Sequence, residues 1–403
     1  MASALDGIKV LDLTGIGPAS LAAMMLGDMG ADVIKIDLPP GGGPRGAGDG
    51  IDFMPQSGPE GERYAAYSAQ CRNKRCLALN LKTEAGQQVF YRLAEKSDVI
   101  LESFRPGVMD RMNAGYQAMS RVNPRIIYCA VSGYGQTGPY SGLPGHDANY
   151  VSMGGVQGLI RAGDNQAPVF ALNIVADLSA AFQNAVIGIL TALLARERTG
   201  RGQMVDISMA DGVVALLAGI PEAAEYFYTG SAPRRAEMVL SGNRPYYAAY
   251  RTGDDRWLTL CSIEPKFWAN LCRALDRDDL IPLQFDATRN DEVVAELRQI
   301  FLTRSRDEWF DLLAKADVPV GKVLDLEEAF SDPQVLHRRM VLEVDHPGVG
   351  KVKQIGFGVK LSDTPGTVRR LGGVLGRDTD EVMAAAGYSP DEIDGLRRQA
   401  VIY

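Results

Sequence analysis

The sequence predicts an α/β protein in which helices cover a parallel sheet and a separate α+β unit follows. Two observations carry that expectation. Over the first half of the chain, short apolar runs alternate with helical periods, the pattern of successive βαβ units. After Met209 the alternation lapses, and a hairpin followed by three helical periods takes its place. A length of 403 residues is enough for two domains or three and for a large core.

Residues 9–13 (KVLDL) read as the first strand, 18–29 as a helix and 32–37 (DVIKID) as the second strand. Residues 82–95 form the next helical period, with Val89 and Leu93 on its apolar face. Residues 98–102 (DVILE) and 125–132 (RIIYCAVS) are further strands. After the second strand, residues 38–61 are rich in Gly and Pro and too long for a plain connection, which predicts a flap over a ligand. The longest helical pattern runs over 177–198, from an N-cap-type Asp to basic residues, with Gly200 as its C-cap. Its middle is apolar nearly all round, so it should be buried, between subunits if not within one. Residues 245–263 predict a β-hairpin turning at Gly253-Asp254-Asp255, followed by helices over 264–275, 291–302 and 306–316. Strand-like segments return at 341–344 and 352–361, and no internal repeat or low-complexity tract occurs.

The composition, 46% hydrophobic and 23% charged, is that of an ordinary globular protein. A net charge of −8 argues against a general nucleic-acid or anionic-membrane surface, so a polyanionic ligand would need a local basic cluster. Five cysteines (Cys71, Cys76, Cys129, Cys261, Cys272) without CxxC spacing read as reduced, packed thiols and as no metal site. The opening MASALDG lacks the features of a signal peptide, and no apolar run approaches the ~20 residues a bilayer requires. The closing Val401-Ile402-Tyr403 is not a peroxisomal signal. A cytoplasmic location without membrane or nucleic-acid partners is the expectation.

Several motifs carry chemistry. Gly15-Ile16-Gly17-Pro18-Ala19-Ser20 follows a strand and opens a helix, close to a dinucleotide fingerprint. Ser20 stands where the third small residue belongs, and Pro18 removes an N–H, so a tight turn admitting another ligand is preferred to NAD. Arg72, Lys74, Arg75, Lys82, Arg105 and Arg111 form a basic series, and Lys82 and Arg105 follow strand-like stretches. The C-terminal strand edge is where such sheets bind ligands, so a phosphate-rich ligand competes with solvated surface charge as their reading. Of the three histidines, His146, His337 and His346, only His146 sits in a Gly/Pro-rich loop between a strand and a helix. An imidazole there, opposite a carboxylate such as Asp177, could take a proton from one face of a carbon and return it from the other. Helix capping is the plain alternative for Asp177, and also for Glu264 ahead of Pro265.

These motifs together resemble the family III CoA-transferases, the group that includes formyl-CoA transferase and α-methylacyl-CoA racemase. The resemblance runs through residues 5–13 (LDGIKVLDL), 30–37 (GADVIKID), 73–75 (NKR), 102–108 (ESFRPGV), 133–139 (GYGQTGP), 199–203 (TGRGQ) and the closing helix within 387–402. It implies a Rossmann-like large domain built from both chain ends, spanning 1–215 and 330–403, and a small α+β domain over 225–325. It further implies two subunits threaded as linked rings, and CoA thioester as substrate with no resident cofactor or metal. The CoA contacts it implies are Ile16, Gly17, Leu79, Asn80, Leu81, Lys82, Ser103, Phe104, Arg105, Arg111, Gly145, Asn149 and Tyr150. Relatives often carry a basic residue after the acid that ends the second strand. Here Leu38 stands there, with Arg45 and Arg75 as substitutes.

Two chemistries share one aspartate in this family. In the transferases the residue matching Asp177 attacks the thioester and carries the acyl group as an anhydride. In the racemases it is one of two bases, the other being a histidine in a GHD loop that matches His146. Asp147 matches that histidine's acidic neighbour and Glu264 a supporting glutamate. Ser241-Gly242-Asn243-Arg244 replaces the glycine run that formyl-CoA-type transferases place before their small-domain hairpin. The preferred expectation is therefore a 2-methylacyl-CoA racemase, with the CoA-transferase as alternative. Racemisation through an enolate needs fixed donors at the thioester oxygen, and amides at the turn of Asp177 are the expected source.

Overall fold

A computed structural model describes residues 3–15, 17–37, 58–160, 166–231 and 238–403. Six strands build the main sheet: β1 (Lys9–Leu13), β2 (Asp32–Asp37), β3 (Lys74–Ala78), β4 (Val99–Glu102), β5 (Ile127–Ser132) and β6 (Met204–Ser208). Every pairing among them is parallel, in the order β3-β2-β1-β4-β5-β6. That is the doubly wound nucleotide-binding order, whose direction reverses between β1 and β4. The expected alternation is present, but both edge strands lay outside it. β3 opens with Lys74-Arg75 and reads as surface charge, and β6 is largely solvent-facing, with only Ser208 buried.

The central strands β1, β4 and β5 bury both faces, with alternate side chains on each. Val10, Val99, Leu101, Ile127, Cys129 and Val131 pack on one side against helices Pro18–Asp28 and Phe182–Thr199. Leu11, Leu13, Ile100, Tyr128 and Ala130 pack on the other, against helix Glu84–Ala94 and the C-terminal helices Thr379–Ala386 and Pro390–Arg398. Each fully buried Leu or Val contributes roughly 1.5–3 kcal/mol relative to exposure. The end of the chain is hydrogen-bonded directly to β3 and its exit: Tyr403 N–H donates to the Ala78 carbonyl at 3.3 Å, and Asn80 N–H to that of Val401 at 2.8 Å.

The NKR segment belongs to this framework. Arg72 pairs with buried Asp28 through two bonds of 2.9 and 2.7 Å. Asn73, at φ 58°, donates to Asp28 and accepts the amides of Arg369 and Arg370. Lys74 is buried and donates to Asp12 at 2.9 Å and to Ser20. Burial alone would raise the Asp12 carboxyl, but Lys74, Lys35 and Thr14 outweigh it and hold the group below its ordinary range.

Residues 1–157, 170–217 and 334–403 form one compact unit, and 158–169 with 218–333 form a second. The first unit also holds an antiparallel pair, β10 (Val341–His346) with β11 (Gly350–Ile355). The second unit has its own three-stranded antiparallel sheet, in the order β7 (Tyr247–Arg251), β8 (Trp257–Cys261), β9 (Val320–Lys322). Its hairpin turns through Gly253, where a Cβ would lie 2.7 Å from the Leu302 carbonyl oxygen. Helices Pro265–Ala274, Asn290–Phe301 and Arg306–Lys315 close a core around Trp268, Phe301 and Trp309. Both indoles donate to backbone carbonyls, Trp268 to Leu280 and Trp309 to Phe301.

The longest helical stretch differs from its expectation in three ways. It begins as a π-helical segment, Ile174–Ala181, before the α-helix Phe182–Thr199. It is not buried all round: Ala185, Val186, Ile189, Ala192, Leu193 and Arg196 face the core, whereas Ile187, Leu190 and Leu194 form an exposed stripe. Together the two segments are long and apolar enough, by length and composition alone, to cross a membrane. The expectation that no run reaches that length is therefore corrected. The face packed on the sheet and the Arg196–Asp98 ion pair at 2.9 Å are features of a core helix.

Candidate active site

Doubly wound sheets bind ligands in the crevice at the C-terminal strand ends where the direction reverses, here between β1 and β4, and two expected CoA-binding segments meet there. Gly15 N–H donates to the Ser103 hydroxyl at 3.4 Å, joining the glycine turn to the loop after β4. Gly17 has φ 129°, a conformation for glycine, and nothing lies within 4 Å of where its Cβ would be. A ligand can therefore approach its backbone. Glu102 accepts the Phe104 amide at 2.6 Å and fixes the start of the Ser103–Arg105 loop. Ile16, Leu38, Arg45 and most of the 38–61 segment lie outside the described residues.

The basic series divides into two groups. Arg72, Lys74 and Arg75 are engaged by carboxylates, Arg75 by Asp32 at 2.6 Å and by Glu381. Asp32 and Lys74-Arg75 start β2 and β3, so Arg75 stands at the edge opposite the crevice and is no substitute for the missing base at Leu38. Lys82, Arg105 and Arg111 remain exposed and make no ion pair among the described residues. Lys82 follows β3, and Arg105 and Arg111 follow β4, on the crevice side. The Leu79 and Leu81 side chains are buried in the core, so any contact they offer a ligand is through backbone. Asn80 is half-buried, and its side chain accepts the Lys82 amide at 3.2 Å.

His146 is the N-cap residue of helix Asp147–Met153, and its imidazole is exposed. Asn149 accepts the His146 amide at 3.0 Å. The carboxylate of Asp147 turns inward, is buried, and accepts the amides of Ala176 and Asp177 on one oxygen, at 2.8 and 2.9 Å. This single side chain fastens the loop of His146 to the turn of Asp177. It also corrects the expectation that those amides are free to stabilise an enolate, because Asp147 already occupies them.

Asp177 is not a helix N-cap. It lies inside the π-helical segment, where Leu178 N–H reaches back five residues to Asn173 and Phe182 N–H reaches back five to Asp177. Its half-buried carboxylate accepts from the Asn173 amide group at 3.3 Å. Burial pushes its carboxyl upward and the nearby Asp147 charge adds to that, against the lowering effects of Asn173 and of His146. Asn173, the residue that precedes the π-helical segment, has no signal in the sequence, because it lies ahead of the helical pattern over 177–198.

Tyr150 completes the cluster. Its phenol donates to the Gly145 carbonyl, and its ring packs edge-on against Tyr134 at 5.0 Å between centroids. A Cβ at Gly133 or Gly145 would lie 2.4 or 2.7 Å from that ring, which is why both positions are glycine. Burial raises the phenol to about 12, with the Asp177 charge acting in the same direction and Arg105 against it. One ring thus lies within electrostatic reach of the cation after β4 and of Asp177. Glu264 belongs to the second unit, where it is the exposed N-cap residue of helix Pro265–Ala274 with no side-chain capping bond.

Comparison with known proteins agrees with this arrangement. Human alpha-methylacyl-CoA racemase is 33% identical over 402 residues, 99% of this chain and 97% of that protein. Human succinyl-CoA:glutarate CoA-transferase is 31% identical over 94% of this chain and 85% of its own length. A CAIB/BAIF family protein from Brucella suis, solved by crystallography, superposes with a TM-score of 0.80 at 27% identity, covering 96% of this chain and all of that one. The model of the CoA-transferase family III matches residues 5–379. The chain belongs to the CoA-transferase family III.

Proposed function

We propose that the protein is a 2-methylacyl-CoA racemase in which His146 and Asp177 exchange the α-proton on opposite faces of an enolate. The observation that carries this reading is the buried Asp147 carboxylate, which ties an exposed imidazole and a half-buried carboxylate into one site. Acyl transfer through an anhydride needs only the carboxylate, whereas inversion needs both titratable groups. The raised Asp177 carboxyl favours its work as a base, since a more basic carboxylate accepts a carbon-bound proton more readily. Residues 137–153 and 170–184, which hold the two groups, contain no Lys or Arg. They expose Tyr140, Leu143, Phe170 and Leu172, a lining suited to an apolar acyl chain and poor for a second carboxylate.

In this reading Lys82, Arg105 and Arg111 receive the CoA phosphates. The working unit is a homodimer joined in part through the stripe of Ile187, Leu190 and Leu194. Substitution of either base tests the division of labour. His146→Ala should abolish racemisation yet keep deuterium exchange of the one enantiomer served by Asp177, and Asp177→Asn should show the opposite preference. Full racemisation by either variant would eliminate the two-base assignment.

A CoA-transferase is the second reading, favoured by the likeness to human succinyl-CoA:glutarate CoA-transferase over 94% of this chain and by the partial exposure of Asp177. Hydroxylamine added during turnover would then trap a hydroxamate on Asp177.

A further inference from the structure

Tyr150 is more tightly held than a CoA-contacting residue needs to be. Its ring is buried, packed against two glycines that admit no Cβ, and braced edge-on by Tyr134, which itself meets Tyr140 at 5.9 Å. Its hydroxyl is directed at the carbonyl of Gly145, the peptide that leads into His146. Tyr150 N–H also returns to the His146 carbonyl at 3.4 Å, so one residue grips the chain on both sides of the histidine. Asp147 fixes the far end of the same short helix start to the turn of Asp177.

We infer that Tyr150 is a positioning residue for His146: its phenol holds the Gly145 carbonyl, and its ring fixes the path of the loop entering the imidazole. This inference rests on the two-base reading above for its kinetic consequence, but its structural core does not. The phenol stays protonated near neutrality and therefore donates throughout the working range. Loss of the hydroxyl leaves the Gly145–His146 peptide held on its N–H side alone, by Asn149, and so loosens the entry to the imidazole, while Asp177, held by Asp147 and Asn173, keeps its place.

Tyr150→Phe is the direct test because it keeps the ring and its packing. Its effect should be selective. At saturating substrate, deuterium exchange from the enantiomer served by His146 should fall about tenfold, the scale of one lost oriented hydrogen bond, and exchange from the other enantiomer far less. Gly133→Ala, whose Cβ would press the same end of the ring, should reproduce the same selectivity. Equal losses for both enantiomers, or no loss for either, would overturn the inference and leave the two-base reading intact. A wild-type enzyme that exchanges neither enantiomer would count against the two-base reading instead. The inference is then decided by imidazole ¹⁵N spectra, which are simple because the chain has three histidines. In Tyr150→Phe the His146 resonances and titration should move while those of His337 and His346 stay, and unchanged His146 resonances would overturn it.

Discussion

At the scale of single residues, the site depends on where charges are placed and how far they are withdrawn from water. The Asp177 carboxyl titrates above its ordinary value because of burial and then Asp147, so the sign of its pH dependence is determined. The folded state holds that proton more strongly than the unfolded chain. The ionised group therefore opposes folding at neutral pH, and this penalty disappears as pH falls through the raised pKa. Asp177→Asn should leave the melting temperature unchanged or raise it, as scanning calorimetry would show, even while catalysis is lost. Exchange of the enantiomer served by Asp177 should decline on the acid side at a higher pH than for an exposed aspartate. A marked fall in stability for Asp177→Asn would contradict the balance of effects described for its carboxylate. The cations divide in the same way. Arg111→Ala should weaken CoA binding more at low salt than at high salt by titration calorimetry, since salt already screens an exposed contact. Arg75→Ala should leave CoA affinity unchanged, because Arg75 serves Asp32 at the other edge of the sheet.

At the scale of elements, legibility in the sequence followed the strength of the period. Buried strands β1, β2, β4 and β5 and the three helices of the second unit are clear in the sequence because apolar spacing alone marks them. The edge strands are not: Lys74 and Arg75 look like surface charge until Asp12 and Asp32 are brought alongside by β1 and β2. Likewise the π-helical turn at Asp177 is invisible, because a five-residue hydrogen bond leaves no signature in residue type. His146, Asp147 and Asp177 are legible as chemistry, yet the inward turn of Asp147 is not, since it depends on amides thirty residues away. The NKR segment, legible as a family motif, proves to be framework. Arg72→Ala should cost about 3–5 kcal/mol in urea unfolding, because it strands the buried charge of Asp28. A cost under 1 kcal/mol would mean that Asp28 finds water or another partner.

At the scale of the whole molecule, the doubly wound sheet explains why distant segments converge. The reversal between β1 and β4 brings the glycine turn to Ser103, and the loops after β3 and β4 carry the exposed cations. The loop after β5 leads to the His146 helix, and Asp147 holds the turn of Asp177 against it. The proposed homodimer gives the exposed stripe of Ile187, Leu190 and Leu194 a role, and light scattering should report twice the chain mass. A folded, active monomer would remove that part of the account. The two readings part at the α-carbon, and wild-type enzyme in D₂O with each pure enantiomer of a 2-methylacyl-CoA distinguishes them. For the proposed racemase, both enantiomers should acquire deuterium at the α-carbon and converge on one racemic mixture, with no added acceptor. Retention of α-hydrogen and configuration, together with transfer of CoA to an added free carboxylate, would contradict it.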